Sequence, residues 1–297
     1  MKKLVIFGVG LIGGSVALAL KKSGGANNAL HIVGVGRSQE SLNEALNLGV
    51  IDAYSDALQA NIHKAMEGAD LVLIAAPVAQ TASILQSIKP HLNNNTIITD
   101  AGSTKSDVLA CAKEILGNQF NQFVGGHPIA GAEKSGVTAA MADLFKGKNV
   151  VLTPTSETNI HAVASVAKFW QTCGANVSEM PAETHDSIFA AVSHLPHLLA
   201  FALVDEIASR PNAAQLFSFA ASGFRDFTRI AGSHPEMWRD ISLANKAALL
   251  GEINAYQDEL SQLKQLLTND NGAGLQALFE RASIARNAWA NNKNNNQ

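Results

Sequence analysis

Gly8-Val9-Gly10-Leu11-Ile12-Gly13 follows directly on the apolar run Leu4 to Phe7 and opens a helix-forming stretch, Gly14-Ser15-Val16-Ala17-Leu18-Ala19-Leu20. Glycines at this spacing meet three needs: a tight turn out of a strand, close approach of the backbone to a pyrophosphate, and a helix laid against the strand with its N-terminal amides facing the anion. Alone, the spacing is a weak sign. With a strand before it, a helix after it and a second apolar run from Ile32 to Val35, it predicts a dinucleotide-binding turn rather than a Gly-rich turn of another α/β fold. Gly8, Gly10, Leu11, Ile12 and Gly13 are the residues expected against the cofactor. Ala76 and Pro77, beyond the run Leu71 to Ala75, join them.

Further short apolar runs, Leu71 to Ala75, Thr96 to Thr99, Phe123 to Gly125 and Val150 to Leu152, alternate with amphipathic stretches. Runs of this length bounded by Gly, Asp and Pro read as buried parallel strands with helices between them, a doubly wound α/β domain over residues 1–180. After Pro181 the pattern becomes helical, in Ala182 to Ser209 and Pro235 to Leu267, so residues 181–297 form a second, all-helical domain. A helix over 235–267 would reach ~50 Å, long enough to need another long helix or a second subunit beside it, and a homodimer is expected. The Asn-rich end, Asn291 to Gln297, is expected to fray. No regulatory domain is expected at either end.

Composition excludes several classes. A 47% hydrophobic and 16% charged chain with formal net charge -3 is neither disordered nor suited to wrapping nucleic acid, so a small anionic substrate is to be held by a few placed cations. Cys111 and Cys173 have no neighbouring Cys/His ligand spacing, which signals reduced core thiols and neither zinc nor disulfide. The N-terminus is too Gly-rich for a signal segment and no apolar run reaches the ~18 residues of a membrane span, which leaves the cytoplasm as the expected location.

The second strand ends Gly34-Val35-Gly36-Arg37-Ser38, where an NAD enzyme usually places an acid against the ribose 2′-hydroxyl. Arg37 and Ser38 instead offer a cation and a hydroxyl suited to a 2′-phosphate. NADP is the expected cofactor, with NAD as the alternative.

Three clusters go beyond what a nucleotide fold requires: Asp100-Ala101-Gly102-Ser103-Thr104-Lys105, Gly126-His127-Pro128-Ile129-Ala130-Gly131-Ala132-Glu133, and Ser193-His194-Leu195-Pro196-His197. A fourth runs from Gly223-Phe224-Arg225-Asp226-Phe227-Thr228-Arg229 to Pro235-Glu236-Met237-Trp238. In a doubly wound sheet ligands lie outside the carboxyl ends of the strands, so Ser103 and His127, each behind a strand run, are expected beside the nicotinamide. Oxidation of an alcohol needs a neutral acceptor for the hydroxyl proton, and histidine, with its pKa near ~6.5, suits that work.

These motifs, with the opening glycine turn, resemble the set of the prephenate/arogenate dehydrogenases, in the right order and from Val5 to about Leu250. The resemblance implies a Rossmann-type domain followed by a helical dimerisation domain of the 6-phosphogluconate-dehydrogenase-like kind. It implies an activity too: hydride passes from a cyclohexadienol to the nicotinamide and the ring carboxylate leaves as CO₂, on the route to tyrosine. By the same resemblance His127 takes the hydroxyl proton, Ser103 orients His127 and the substrate hydroxyl, and Arg229 binds a substrate carboxylate through its fixed fork. His194 and His197 line the substrate side, Trp238 stands near them, and Glu133, Arg225 and Asp226 resemble a gating ion cluster. Ala132 offers nothing to an ammonium, which favours prephenate over arogenate.

Duller readings stand beside these. His127 before a proline could be a turn residue, Ser103 a helix cap, His194 and His197 core histidines on one helical face, Arg229 a surface ion-pair partner and Trp238 packing. A β-hydroxyacid or 6-phosphogluconate type of dehydrogenase would carry a lysine in the stretch Ser187 to His197, and there is none. A silent nucleotide sensor would not need Ser103, His127 and Arg229 together.

Overall fold

The computed structural model describes residues 1–24, 30–56, 59–132 and 134–294. They form two compact units, Met1–Lys246 and Ala247–Gln297.

The first unit begins β1 Lys3–Phe7, α1 Leu11–Gly24, β2 His31–Gly36, α2 Gln39–Asn47, β3 Ala53–Asp56, α3 Gln59–Met66, β4 Leu71–Ile74, α4 Thr81–Ile88, β5 Ile97–Asp100 and α5 Ser106–Leu116. It continues with β6 Phe123–Pro128, β7 Asn149–Thr153, α6 Ile160–Thr172 and β8 Asn176–Glu179. The strands make one eight-stranded sheet in the order β3-β2-β1-β4-β5-β6-β7-β8. Only β6 and β7 pair antiparallel. Successive strand residues point to opposite faces: Leu4 and Ile6 enter one core cluster with Trp170 and Phe145, Val5 and Phe7 the other with Ile98 and Phe123. Parallel strands buried on both faces are what the apolar runs predict, and every expected run is a strand. β3 and β8 were not expected. Ala53-Tyr54-Ser55-Asp56 and Asn176-Val177-Ser178-Glu179 are edge strands, and without a second neighbour they need no continuous apolar run.

The helical part continues with α7 Ala182–Phe189, α8 Leu195–Ala208, α9 Ala213–Ser218, α10 Ser222–Thr228 and α11 Pro235–Ala244. α7 and α8 run on through a π turn, Ala190–His194. Pro196 has no amide hydrogen for the carbonyl one turn back, and its ring crowds that carbonyl; the widened turn absorbs the conflict. Ala182–Ala208 is long and apolar enough, by length and composition, to cross a membrane, with mean hydropathy 1.7. Its apolar residues are interrupted by His, Asp, Glu, Ser and Thr and do not form one unbroken run. The segment also carries buried His185, Asp186 and His194, bonded to residues of other elements, as a core helix does.

One helix expected over 235–267 is two, because α11 ends at Asn245 before α12 Lys246–Thr268 begins. The Asn245 side chain is buried and donates to the Asp186 carbonyl at 2.7 Å. That bond holds the chain where the helix is interrupted.

In the second unit α12 is followed by α13 Gly272–Asn294, reached through Asp270 at φ 47 and capped by the Asn271 side chain, which accepts from Gly274 N at 2.9 Å. α13 was not expected. Its apolar residues are dispersed among Ala, Arg and Asn and give no stripe to read. It continues to Asn294 through residues expected to fray, and 295–297 lie outside the described residues. Leu260, Leu267, Phe279, Ile284 and Trp289 are exposed on this unit.

Candidate active site

The parallel strands β1, β4, β5 and β6 end at one edge of the sheet, and each hands a candidate residue to it. After β1 the three glycines do different work. Gly8 has φ 94, and a Cβ there would lie 2.7 Å from the Ala75 carbonyl oxygen and 2.8 Å from the Ala76 amide. A Cβ at Gly13 would collide with the Gly8 carbonyl and lie 2.8 Å from Ile6. A Cβ at Gly10 would meet nothing within 4 Å. The first and third glycines therefore shape the turn, and the second keeps clear a space that a ligand can enter. The first helical bond of α1, Gly14 N to Gly10 O, is 2.8 Å long. The amides of Leu11, Ile12 and Gly13 precede it, the anion-binding end of a helix, so the cradle fits a pyrophosphate. Ala76 packs its backbone on this turn, and Pro77, exposed, leads into a short 3₁₀ turn. Arg37 is exposed after β2; Ser38 caps α2, its Oγ accepting from Ser41 N at 3.2 Å, and keeps its own hydrogen to donate.

After β5, Asp100 and Lys105 form a buried ion pair. Asp100 also accepts from Gly102 N at 2.8 Å and from Gly126 N at 2.9 Å, which ties the loop holding Ser103 to the strand holding His127. Buried charges persist when paired and hydrogen-bonded, and here both conditions hold.

His127 Nδ1 lies 2.8 Å from His185 Nε2. His185 Nδ1 lies 2.8 Å from Asp186 Oδ1. The Asp186 carboxylate in turn accepts from the amides of Lys105 at 2.9 Å and Ser106 at 2.8 Å, capping α5. Phe189 closes the group, its ring 4.9 Å from that of His127 and 4.5 Å from that of His185. Three elements thus converge: β6 gives the outer histidine, α7 the inner pair, and the start of α5 the amides.

Burial pushes His127 well below the usual histidine range, and the neighbouring His185 and Lys105 push the same way. Burial also lowers His185, against the pull of Asp186. At Asp186 burial opposes ionisation but is outweighed by the bonds from His185, Ser106 and Lys105, which hold the carboxyl at about 2. The site therefore keeps an uncharged outer histidine over an ionised carboxylate.

His194 sits at the end of the π turn, a distortion that recurs at functional sites. Its Nδ1 is 3.1 Å from Asn245 Nδ2, and burial, helped by His185 and His197, brings it down to about 4 against the pull of Asp186. His197 stacks on Trp238 at 3.6 Å with its Nδ1 2.9 Å from the Ser193 carbonyl oxygen. Burial lowers its pKa, and the Arg229 charge adds to the effect. Arg229 lines a cleft of about 570 Å³ with Ala132, Lys134 and residues Thr138 to Met141. That last segment packs on α1, where Met141 N donates to Ser15 Oγ at 2.9 Å.

The family described as "Prephenate dehydrogenase, nucleotide-binding domain" matches residues 16–179, and "Prephenate dehydrogenase, dimerization domain" matches residues 181–281. The chain belongs to the prephenate dehydrogenase family. A Bacillus subtilis prephenate dehydrogenase is 38% identical over 285 residues, 95% of this chain and 75% of that one. A Zymomonas mobilis cyclohexadienyl dehydrogenase is 33% identical over 96% of this chain and 95% of its own. The crystal structure of prephenate dehydrogenase from A. aeolicus in complex with hydroxyphenyl propionate and NAD+ superposes with TM-score 0.89 at 38% identity, covering 96% of this chain and 97% of that one.

Against the pattern of prephenate dehydrogenases read from the sequence, His127, His194, His197, Trp238 and Arg229 fall in one region of the first unit. Ser103 does not bond His127; the ring is held by His185. Nor does Ser103 cap α5, since the Asp186 carboxylate does. Arg225 and Asp226 are exposed on α10, and Glu133 lies outside the described residues. Sequence reading missed His185, Asp186 and Asn245, and gave Lys105, within a cluster it singled out, no role of its own. The signal for the first two was a His-Asp pair placed early in an apolar helix, where uncompensated polarity is costly.

Proposed function

We propose that this protein oxidatively decarboxylates prephenate to 4-hydroxyphenylpyruvate in tyrosine biosynthesis. The observation that supports it most is an uncharged His127 at the end of β6, on the same sheet edge as a glycine cradle with open space at its middle glycine. When bound, an oxidised nicotinamide supplies the hydride acceptor. Gly8, Gly10 and Gly13, with the α1 amides, hold its pyrophosphate. His127 receives the proton of the ring hydroxyl, and Ser103, on the adjoining loop, contacts that hydroxyl. Loss of the ring carboxylate yields an aromatic ring, so the protein need only position the substrate, take one proton from the ring oxygen and return it once the ring is aromatic.

Both charged residues lining the described cleft, Arg229 and Lys134, are cations. That suits a substrate with two carboxylates and no ammonium, hence prephenate before arogenate. Arg229→Ala is expected to raise the KM for prephenate at least about tenfold, the worth of a charge-assisted hydrogen bond, with kcat changed less. Steady-state kinetics with prephenate and arogenate, each with NAD and NADP, test the assignment; turnover of neither substrate would end it.

The cofactor reading is NADP in preference to NAD, supported by Gly36, Arg37 and Ser38 at the end of β2, although the A. aeolicus relative is described with NAD+. Residues 1–180 are read as the nucleotide domain and 181–297 as the substrate and dimerisation domain. The exposed Phe279, Ile284 and Trp289 support a homodimer, to be checked by sedimentation, and the cytoplasm as the location goes with the biosynthetic role.

A further inference from the structure

We propose that His185 and Asp186 are positioning residues for the base: they fix which nitrogen of His127 faces the substrate, and they receive the charge of the proton it takes up. The inference rests on the reading of His127 as the base. It starts from Asp186. Its Oδ2 accepts from Ser106 N, and its Oδ1 from Lys105 N and from the His185 ring. A carboxylate surrounded by donors is an acceptor, so the hydrogen between the two side chains belongs to His185 Nδ1. A neutral imidazole has one N–H and one lone pair; His185 Nε2 is then an acceptor, and it faces His127 Nδ1 at 2.8 Å. The shared hydrogen must come from His127 Nδ1. By the same count the lone pair of His127 lies on Nε2.

Four short bonds therefore select a tautomer that an isolated imidazole would not hold uniquely. When the O–H bond of the substrate breaks, the proton goes to His127 Nε2 and the electron pair stays with the oxygen as it becomes the carbonyl. The hydrogen on His127 Nδ1 passes to His185 Nε2. The positive charge then rests on His185, 2.8 Å from the Asp186 carboxylate, and His127 is again neutral. As the ring carboxylate leaves as CO₂, its electron pair makes the ring aromatic and the carbonyl oxygen a phenolate; the proton then returns along the same bonds and passes from His127 Nε2 to that oxygen, giving the hydroxyl of the product.

The charged and titratable surroundings agree. Facing the pair are Lys105 and Asp100, committed to each other, then Asp186 and His194; Asp107 stands behind them, beside Lys105 and Asp186. Burial and Lys105 disfavour a cation on His127, while Asp186, with Asp100 adding to it, favours one on His185.

His185→Gln is the first test, because its amide oxygen can still accept from His127 Nδ1 but cannot take a proton. Turnover is expected to fall ~10- to 100-fold, toward the low end of what general base catalysis contributes. The acid limb of the kcat profile should move to lower pH by about one unit, since the remaining base is a single buried histidine rather than a coupled pair. KM for prephenate and cofactor binding should hold. A kcat within threefold of the parent with an unmoved limb would overturn the proposal, as would a loss of kcat with an unmoved limb, which marks a merely structural role. Should this variant misfold, ¹⁵N-histidine spectra of the unaltered protein decide: the Nδ1–H form of His127 is expected, and the Nε2–H form would overturn it. If His127→Asn itself remains active, the reading of the base has failed; if His127→Asn is inactive and His185→Gln is normal, only this inference has.

Discussion

The cofactor cradle and the histidine cluster share one edge of one sheet, yet they are built in opposite ways. The cradle is a local object: Gly8, Gly10 and Gly13 lie within six residues of chain, Gly14 N to Gly10 O closes it at the start of α1, and Gly8 N ties it to Val35 O of the neighbouring β2. The cluster is assembled from a distance, since His127 meets His185 across 58 positions and Lys105 meets Asp186 across 81. A local object can be read from spacing and damaged by a single Cβ. A distributed one depends on the whole fold and is damaged through its partners.

The largest expected effect separates the two by function. His127→Asn should lower turnover by ~10²- to 10⁴-fold, the usual worth of a general base, while the dissociation constant for the oxidised cofactor stays near that of the parent. Fluorescence titration beside steady-state kinetics measures both; a joint loss would mean that base and cradle are one unit.

Within the cradle a second pair of variants sharpens the contrast. Gly13→Ala forces a Cβ into the Gly8 carbonyl and Ile6, and is expected to destabilise the protein by about 1–3 kcal/mol as overpacking does. Gly10→Ala adds its methyl in open space, so it should melt like the parent and lose only cofactor affinity. Equal melting temperatures for the two variants would refute this division of labour.

The histidines carry a pH signature that the glycines lack. His194 is held at about 4 in the folded chain against 6.5 for an ordinary histidine, and His127 is shifted the same way. Between these values the unfolded chain binds protons that the folded chain does not, so stability rises with pH through the window and is lost as pH falls through it. Melting temperature should drop on acidification from pH 6.5 toward 4. His194→Gln should flatten that slope, and Gly10→Ala should leave it unchanged.

The smallest expected effect is on cofactor choice. A Cβ at Gly36 would lie 3.5 Å from Leu42, an ordinary contact, so Gly36→Asp fits and should shift preference toward NAD by repelling a 2′-phosphate. Arg37→Ala should weaken NADP more than NAD. If the parent has the higher kcat/KM with NAD and Arg37→Ala leaves the ratio of the two cofactors unmoved, the NADP reading is lost.

What the sequence could tell follows the same division. The strands that build the sheet's interior were legible because burial on both faces demands unbroken apolar runs, and the cradle because its glycines have fixed duties. His127 and Arg229 were legible through motif context. His185 and Asp186 were not, because a His-Asp pair in an apolar helix gains its meaning only when β6 and the start of α5 are brought against it. Asn245 was hidden for a related reason: apolar periodicity runs across position 245, and only the fold supplies the Asp186 carbonyl and the His194 ring that claim its amide.

Asp186 serves two masters, the first backbone amides of α5 and the ring of His185. Fraying of that one helical turn therefore frees the carboxylate, lets His185 rotate and leaves His127 without a fixed tautomer, with the sheet untouched. On the proposed role of His185 and Asp186, heat inactivation is expected to run ahead of melting. The amide hydrogens of Lys105 and Ser106 should exchange with solvent at the temperature where activity is lost, below the one at which the strands let go.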